Sequence, residues 1–225
     1  MLDLLTGHDD VDDSIRMIRN TGAKFAGRTI YLWGHESQLS KRLAAARQNA
    51  PKVHAADPDM ILQACVFEIV SKDVEKLPIP AWAFEAFDVT PKQRNFRYEA
   101  TLYPGGRGHN HWRPGSSIPD ISQPETKLWF YFLAASYIDV GCEAVHFGQA
   151  EIMDGNDPAH RHWWKVLQKV REYAAGWKCL WKANGAKLSS CQLSAPPILD
   201  GMAMTPSRVY ISAIDGSVTC LGKVE

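Results

Sequence analysis

Up to about residue 176 this chain alternates short apolar runs with stretches of helical period, and beyond that point the helical period disappears. In DDVDDSIRMIRNTG, Val11, Ile15 and Ile18 fall at helical spacing, behind an acidic first turn and ahead of Gly22 as a C-terminal stop. AKFAGRTIYLWG reads as a strand ending at Gly34, and Leu39, Leu43, Ala46, Ala50 and Val53 form a helical stripe that Pro51 should kink or split. MILQACVFEIV follows the DPD turn as a buried strand. IPAWAFEAF predicts a short helix, RNFRYEATLYP a strand, and PGGRGHNHWRPGSSIPDISQP a long loop. ETKLWFYFLAASYIDVG is a helix apolar on most sides, EAVHFGQAEIM the next strand, and HRHWWKVLQKVREYAA a closing amphipathic helix. Such alternation predicts an α/β fold with a parallel sheet, because parallel strands need crossover connections.

From residue 176 onward only short alternating segments remain: KCLWKA, KLSSCQL, RVYISAI and SVTCLGK, separated by turn signals that include NG and DG. The chain is therefore expected to divide into an α/β part, 1–175, and a small antiparallel β part, 176–225. The tail should turn at Asn184-Gly185 and Asp215-Gly216 and pack Trp181, Val209 or Ile211 against the α/β part, being too small to stand alone.

The totals exclude several classes. Lys and Arg number 25 against 25 Asp and Glu, so no general field favours nucleic acid or an anionic membrane surface. The most apolar run, LWFYFLAA at 128–135, is far shorter than the ~20 residues of a membrane-spanning helix. MLDLLTGHDDVDD lacks the basic and apolar regions of a signal peptide, which predicts a cytoplasmic protein. The 5 cysteines are scattered and odd in number, which fits a reducing compartment.

Chemistry concentrates where the strands end. Those ends give Trp33-Gly34-His35-Glu36, Phe67-Glu68, Arg97-Tyr98-Glu99 and His146-Phe147-Gly148-Gln149, with Glu151 just beyond. In a (β/α) barrel the C-terminal strand ends form the active face, so these groups should converge on one cleft, with Trp112 of the long loop beside it. The plainer alternative is that strand ends are polar because they are solvated. Glu68 closes an apolar strand face, where desolvation would raise its pKa as a general acid requires. Glu99 is the natural second carboxylate, with Arg97 on the same side. Paired carboxylates between walls from Trp33, Trp112 and Tyr98 are the apparatus of glycoside hydrolysis. A structural Arg97–Glu99 or Arg97–Glu68 ion pair is the competing reading.

A metal is not expected: the pairs His109/His111 and His160/His162 lack an acidic partner at ligand spacing. No cofactor is expected either, since PGGRG lacks the GK[ST] ending of a phosphate loop and no GxSxG elbow occurs.

Residues from about 9 to 175, through LQACVFEIV, RNFRYE, NHW, ETKLWFYFLAASYIDVGCEAVHFGQ and NDP, resemble a group of uncharacterised bacterial proteins with glycosidase-like TIM barrels. The tail, with PPILDGMA and RVYISAIDGSVTCLG, is similar to the last blade of quinoprotein-type β-propellers. The first resemblance implies a partial (β/α) TIM-type barrel and a site at the strand ends. The second implies a single blade, without the four to eight that enclose a quinone site. A full barrel takes about 250 residues, so the combination reads as a fusion or truncated product. Two functions follow: a glycoside hydrolase-like protein using Glu68 and Glu99, with Trp33, Glu36, Arg97, Tyr98, His111, Trp112, His146 and Gln149 binding a carbohydrate; or a non-catalytic scaffold that holds a sugar or peptide. Open sheet edges could support self-association.

Overall fold

The computed structural model describes residues 3–7 and 10–175 in full, together with the backbone of 176–180, 197–204, 208–213 and 218–222. The protein is mixed α/β, with one small parallel sheet and one small antiparallel sheet, and the described residues form neither a closed barrel nor a propeller.

Helix α1 (Val11–Thr21) starts where the Asp10 carboxylate accepts the Asp12 N–H, and ends where Gly22 turns left-handed at φ 66° to return its N–H to Ile18. Strand β1 (Phe25–Leu32) follows, then a 3-10 turn (Glu36–Gln38) and helix α2 (Leu39–Ala56). The buried residues of α2 are Leu39, Leu43, Ala46, Ala50 and Val53, the stripe read from the sequence, and the helix runs through Pro51 without splitting. Strand β2 (Ile61–Val66) pairs in parallel with β1 and, on its other side, with β5 (Ala144–Phe147), giving the order β1-β2-β5. Between β2 and β5 lie β3 (Val70–Ser71), a 3-10 turn (Lys72–Lys76), helix α3 (Ala81–Glu85), β4 (Ser116–Ser117) and helix α4 (Pro124–Ile138). After β5 come the short α5 (Ala150–Met153) and α6 (Arg161–Leu180). Helix α4 is the centre of the core. It packs on β2, β5 and α6, and nearly all its side chains are buried, including Trp129, Phe130 and Tyr137. Its Phe130 stacks on Trp163 of α6 with ring centroids 5.7 Å apart.

The strand expected over RNFRYEATLYP does not form. Phe96 and Tyr98 alternate inward as a strand's would, but the backbone bonds elsewhere. Ile79 N–H donates to Arg94, Phe96 N–H to Leu77, Arg97 N–H to the Glu125 carboxylate and Tyr98 N–H to the Glu75 carboxylate. Glu99 begins a 3-10 turn (Glu99–Thr101). Of the three strands expected to lie side by side, those leading to Glu68 and Gln149 are parallel neighbours, and β2 meets β5 directly. The long loop is likewise not wholly irregular, for β4 pairs antiparallel with β3 and pins the loop beside the end of β2.

The tail sheet is antiparallel, in the order β6 (Pro197–Met204), β7 (Arg208–Ala213), β8 (Val218–Gly222). PPILDGMA supplies most of β6, and α6 extends to Leu180, past the expected boundary and into the KCLWKA run. The turns at Asn184-Gly185 and Asp215-Gly216, the KLSSCQL segment, and the packing of Trp181, Val209 and Ile211 lie outside the described residues.

One ion pair ties α2 to the sheet and sets a pH dependence. His54 Nε2 lies 2.9 Å from Glu143 Oε1, while Glu143 Oε2 accepts the Leu62 N–H at 2.9 Å. The Glu143 carboxylate beside it raises the His54 pKa above its ordinary 6.5, against a smaller effect of burial. A raised folded pKa gives stability that is fully present below the unfolded value and lost as pH rises through the folded one. The melting temperature of the parent should therefore fall, relative to His54→Gln, across the range just above pH 6.5. Parallel melting profiles for the two proteins would show that the pair adds nothing.

Candidate functional site

The C-terminal ends of β1, β2 and β5 carry the groups of interest, and Glu68 lies at their centre. Two residues past β2, its side chain is turned inward and only 1% exposed. Glu68 Oε1 accepts from Gln149 Nε2 at 2.8 Å, whereas Oε2 is buried without a hydrogen-bond partner among the described residues. Two features of the next strand's end create this arrangement. Gly148 donates its N–H to Val66, and a Cβ there would stand 2.8 Å from Glu68 Oε2, so only glycine leaves the carboxyl its place. Gln149 then adopts a left-handed conformation (φ 42°, ψ 48°) as the chain turns from β5 into α5, and its amide reaches Glu68. Burial drives the Glu68 pKa up. Hydrogen bonds from its own backbone and from Gln149 oppose this, the nearby Glu151 charge adds to it, and His146 reduces it.

Beside Glu68 stands an aromatic shelf. The Trp33 ring, 37% exposed, lies 5.0 Å from Phe67 and 5.0 Å from Trp112, both edge-on. His111 meets Trp112 at 4.6 Å, and Tyr31 meets Phe67 at 5.3 Å. The long loop reaches this place because Trp112 Nε1 donates to the Glu68 carbonyl at 3.2 Å. Thus Trp33, Glu68, His111, Trp112 and Gln149 are joined in one connected group, and His146 on β5 acts on Glu68 through its charge.

The other residues expected at the site have different surroundings. Glu36 is buried, accepting the N–H of Ser71 at 2.7 Å and the Ser71 hydroxyl, so it clamps the turn after β1 to β3. Its pKa is raised by burial, with the Ser71 hydrogen bonds pulling the other way. Tyr98 is fully buried, its hydroxyl bonded to Ser117 Oγ, and it props the long loop from beneath. Glu99 is exposed and makes no side-chain hydrogen bond or ion pair among the described residues. Neither the Arg97–Glu99 nor the Arg97–Glu68 pair forms. Arg97 Nη2 instead lies 3.7 Å from Glu125 Oε2, and Arg94 grips the same carboxylate at 2.6 and 2.8 Å.

Sequence reasoning passed over Phe67 as part of the shelf and Glu125 as the arginines' partner. Phe67 was legible as a large aromatic at the last position before Glu68. Glu125 had no comparable signal, since an acid in a helix's first turn is ordinarily a dipole-facing surface group.

Among the described residues no group of three or more His, Cys, Asp and Glu side chains could hold a metal, and no helix is long and apolar enough to cross a membrane. An open surface groove between α1 and the end of α2, lined by Ile15, Arg19, Lys52 and Ala56, sits by the N-terminal ends of the strands, away from Glu68. Comparison of the chain with protein-family models, curated proteins and solved structures gives no match.

Proposed function

We propose that the ends of β1, β2 and β5 form a carbohydrate site of the glycoside hydrolase type, in which Glu68 donates a proton and the Trp33–Trp112 shelf receives a sugar ring. The observation that carries this reading is the buried Glu68 carboxyl, with Oε2 unpartnered among the described residues, directly beside exposed aromatic surface. A carboxyl whose pKa is raised by burial suits the proton donation that cleavage of a glycosidic bond requires, and a ring face suits the apolar face of a sugar. The three parallel strands stand in chain order, as successive barrel strands do, which supports reading residues 1–175 as a segment of a (β/α) barrel. The antiparallel tail supports a blade-like origin for the second part.

A purely binding role is the second reading, and the surroundings of Glu99 favour it. The expected second carboxylate is solvent-exposed and makes no side-chain hydrogen bond or ion pair among the described residues. In the catalytic reading Glu151, whose charge acts on Glu68, is the better candidate for that role.

The test is a panel of oligosaccharides and aryl glycosides, neutral and acidic, offered to the parent and to Trp33→Ala. Binding should weaken about tenfold in the variant, the size of one lost ring contact. Hydrolysis by the parent selects the catalytic reading, and binding without hydrolysis the scaffold. A parent that neither binds nor cleaves any sugar of the panel removes both.

A further inference from the structure

We infer that the sugar taken by this site carries a carboxylate, a uronate residue, held by Arg113 and Arg28 at the rim of the aromatic shelf. The inference rests on the carbohydrate reading and narrows it. Arg113 follows Trp112 by one residue and Pro114, and its Nη2 lies 3.1 Å from His35 Nε2 and 2.8 Å from where a Cβ of Gly34 would be. The guanidinium is thereby laid against the Trp33–Gly34–His35 turn, and a side chain at Gly34 would push it away. The Arg28 guanidinium carbon sits 5.5 Å over the Phe67 ring, the same ring that Trp33 meets edge-on. Both arginines are exposed, and among the described residues neither meets a carboxylate. Arg16, Arg42, Arg94 and Arg97 pair with Asp13, Asp3, Glu125 and Glu125, whereas Arg19, Arg47, Arg107, Arg161 and Arg171 resemble Arg28 and Arg113 in having no carboxylate partner among the described residues.

Most acids of the neighbourhood are withdrawn from the rim, the exception being the exposed Glu151, whose charge acts on Glu68. Glu36 and Glu68 are each 1% exposed and turned inward, and Asp73 is occupied by Ser37 and Lys76. A third cation, Lys72, lies along Gly115 in the same loop as Arg113. The shelf is therefore edged by positive charge in a chain whose 25 basic and 25 acidic groups balance overall. A guanidinium offers two parallel N–H donors that match a planar carboxylate, while the adjoining rings match the carbon face of a pyranose. A uronate presents both features on one ring. A neutral sugar would leave the two arginines without a counter-charge.

The test compares oligogalacturonate and oligoglucuronate with their methyl esters, the same rings without the charge, by calorimetry on the full chain. The acids should bind about ten- to a hundredfold more tightly than the esters, the range of a charge-assisted hydrogen bond. That margin should shrink as salt is added. It should collapse in Arg113→Gln combined with Arg28→Gln, whereas Trp33→Ala should weaken acid and ester alike. Equal affinity of the parent for acid and ester overturns the inference without any variant, and if Trp33→Ala then weakens both, the carbohydrate reading stands by itself. A preference for the acid that survives the double substitution also overturns the assignment. Failure of every uronate to bind ends the inference, and the neutral members of the panel above then decide the broader reading separately.

Discussion

Glu68→Gln should cut turnover of a cleavable aryl glycoside about 10²–10⁴-fold, the contribution expected of a positioned general acid, while the melting temperature holds or rises. The second half of this expectation follows from the direction of the Glu68 pKa, which burial raises above the ordinary 4.5. A raised folded pKa favours the folded state fully below the unfolded value, and that benefit is lost as pH climbs through the folded value. Ionisation of Glu68 therefore works against the fold. Glutamine keeps an oxygen for the Gln149 amide and removes the charge. If Glu68 were instead half of a structural ion pair, its removal would cost about 3–5 kcal/mol. A steep drop in melting temperature, or turnover equal to the parent's, would sink the assignment of Glu68 as proton donor.

The largest loss of stability from a single carboxylate should come from Glu125→Ala. Glu125 is 3% exposed and receives Arg94 through two nitrogens as well as the N–H of Arg97. Its removal leaves the partly buried Arg94 guanidinium and a main-chain donor without their acceptor. Breaking a buried pair from one side costs about 3–5 kcal/mol. Glu99→Ala, on the adjoining 3-10 turn, should change stability by no more than about 0.5 kcal/mol, as an exposed and unpaired group would. Urea denaturation of the two variants beside the parent measures the contrast. Equal midpoints would mean that Glu125 organises nothing.

Those two carboxylates also mark the limit of what could be read from sequence. Where a segment's period and its hydrogen-bonding partner coincide, the reading succeeded: α1 with its stop at Gly22, the buried stripe of α2, and β2 are as expected. Residues 94–103 show why it failed elsewhere. The period of two correctly reports that Phe96 and Tyr98 face inward, but it carries no information about what the intervening N–H groups bond to. Here carboxylates from Glu75 and Glu125 take them, and a strand ladder is replaced by side-chain acceptors distant in sequence. The candidate site divides in the same way. Glu68, Gln149, Trp33 and Trp112 were legible because each follows or faces the end of a well-formed strand. Glu36 shares that signature and Tyr98 has it only in the period of its sequence, yet Ser71 and Ser117 draw them into the interior. Residue type and strand position cannot separate a group that faces a ligand from one that faces a serine.

Residues 3–7 have a consequence for how this sheet can grow. Asp3 and Leu5 donate their N–H groups to Arg28 and Thr29 along the outer side of β1, Arg42 holds the Asp3 carboxylate, and Asn49 holds the Leu5 carbonyl. Leu4 and Leu5 are 2% and 0% exposed. This short piece of chain acts as a stopper in the position that a further strand would occupy. Any strand arriving there, from another molecule or from a longer version of the same polypeptide, must first extract two leucines, each worth roughly 1.5–3 kcal/mol of burial. Extension on the β1 side is thus a displacement reaction, with a threshold that depends on Leu4 and Leu5.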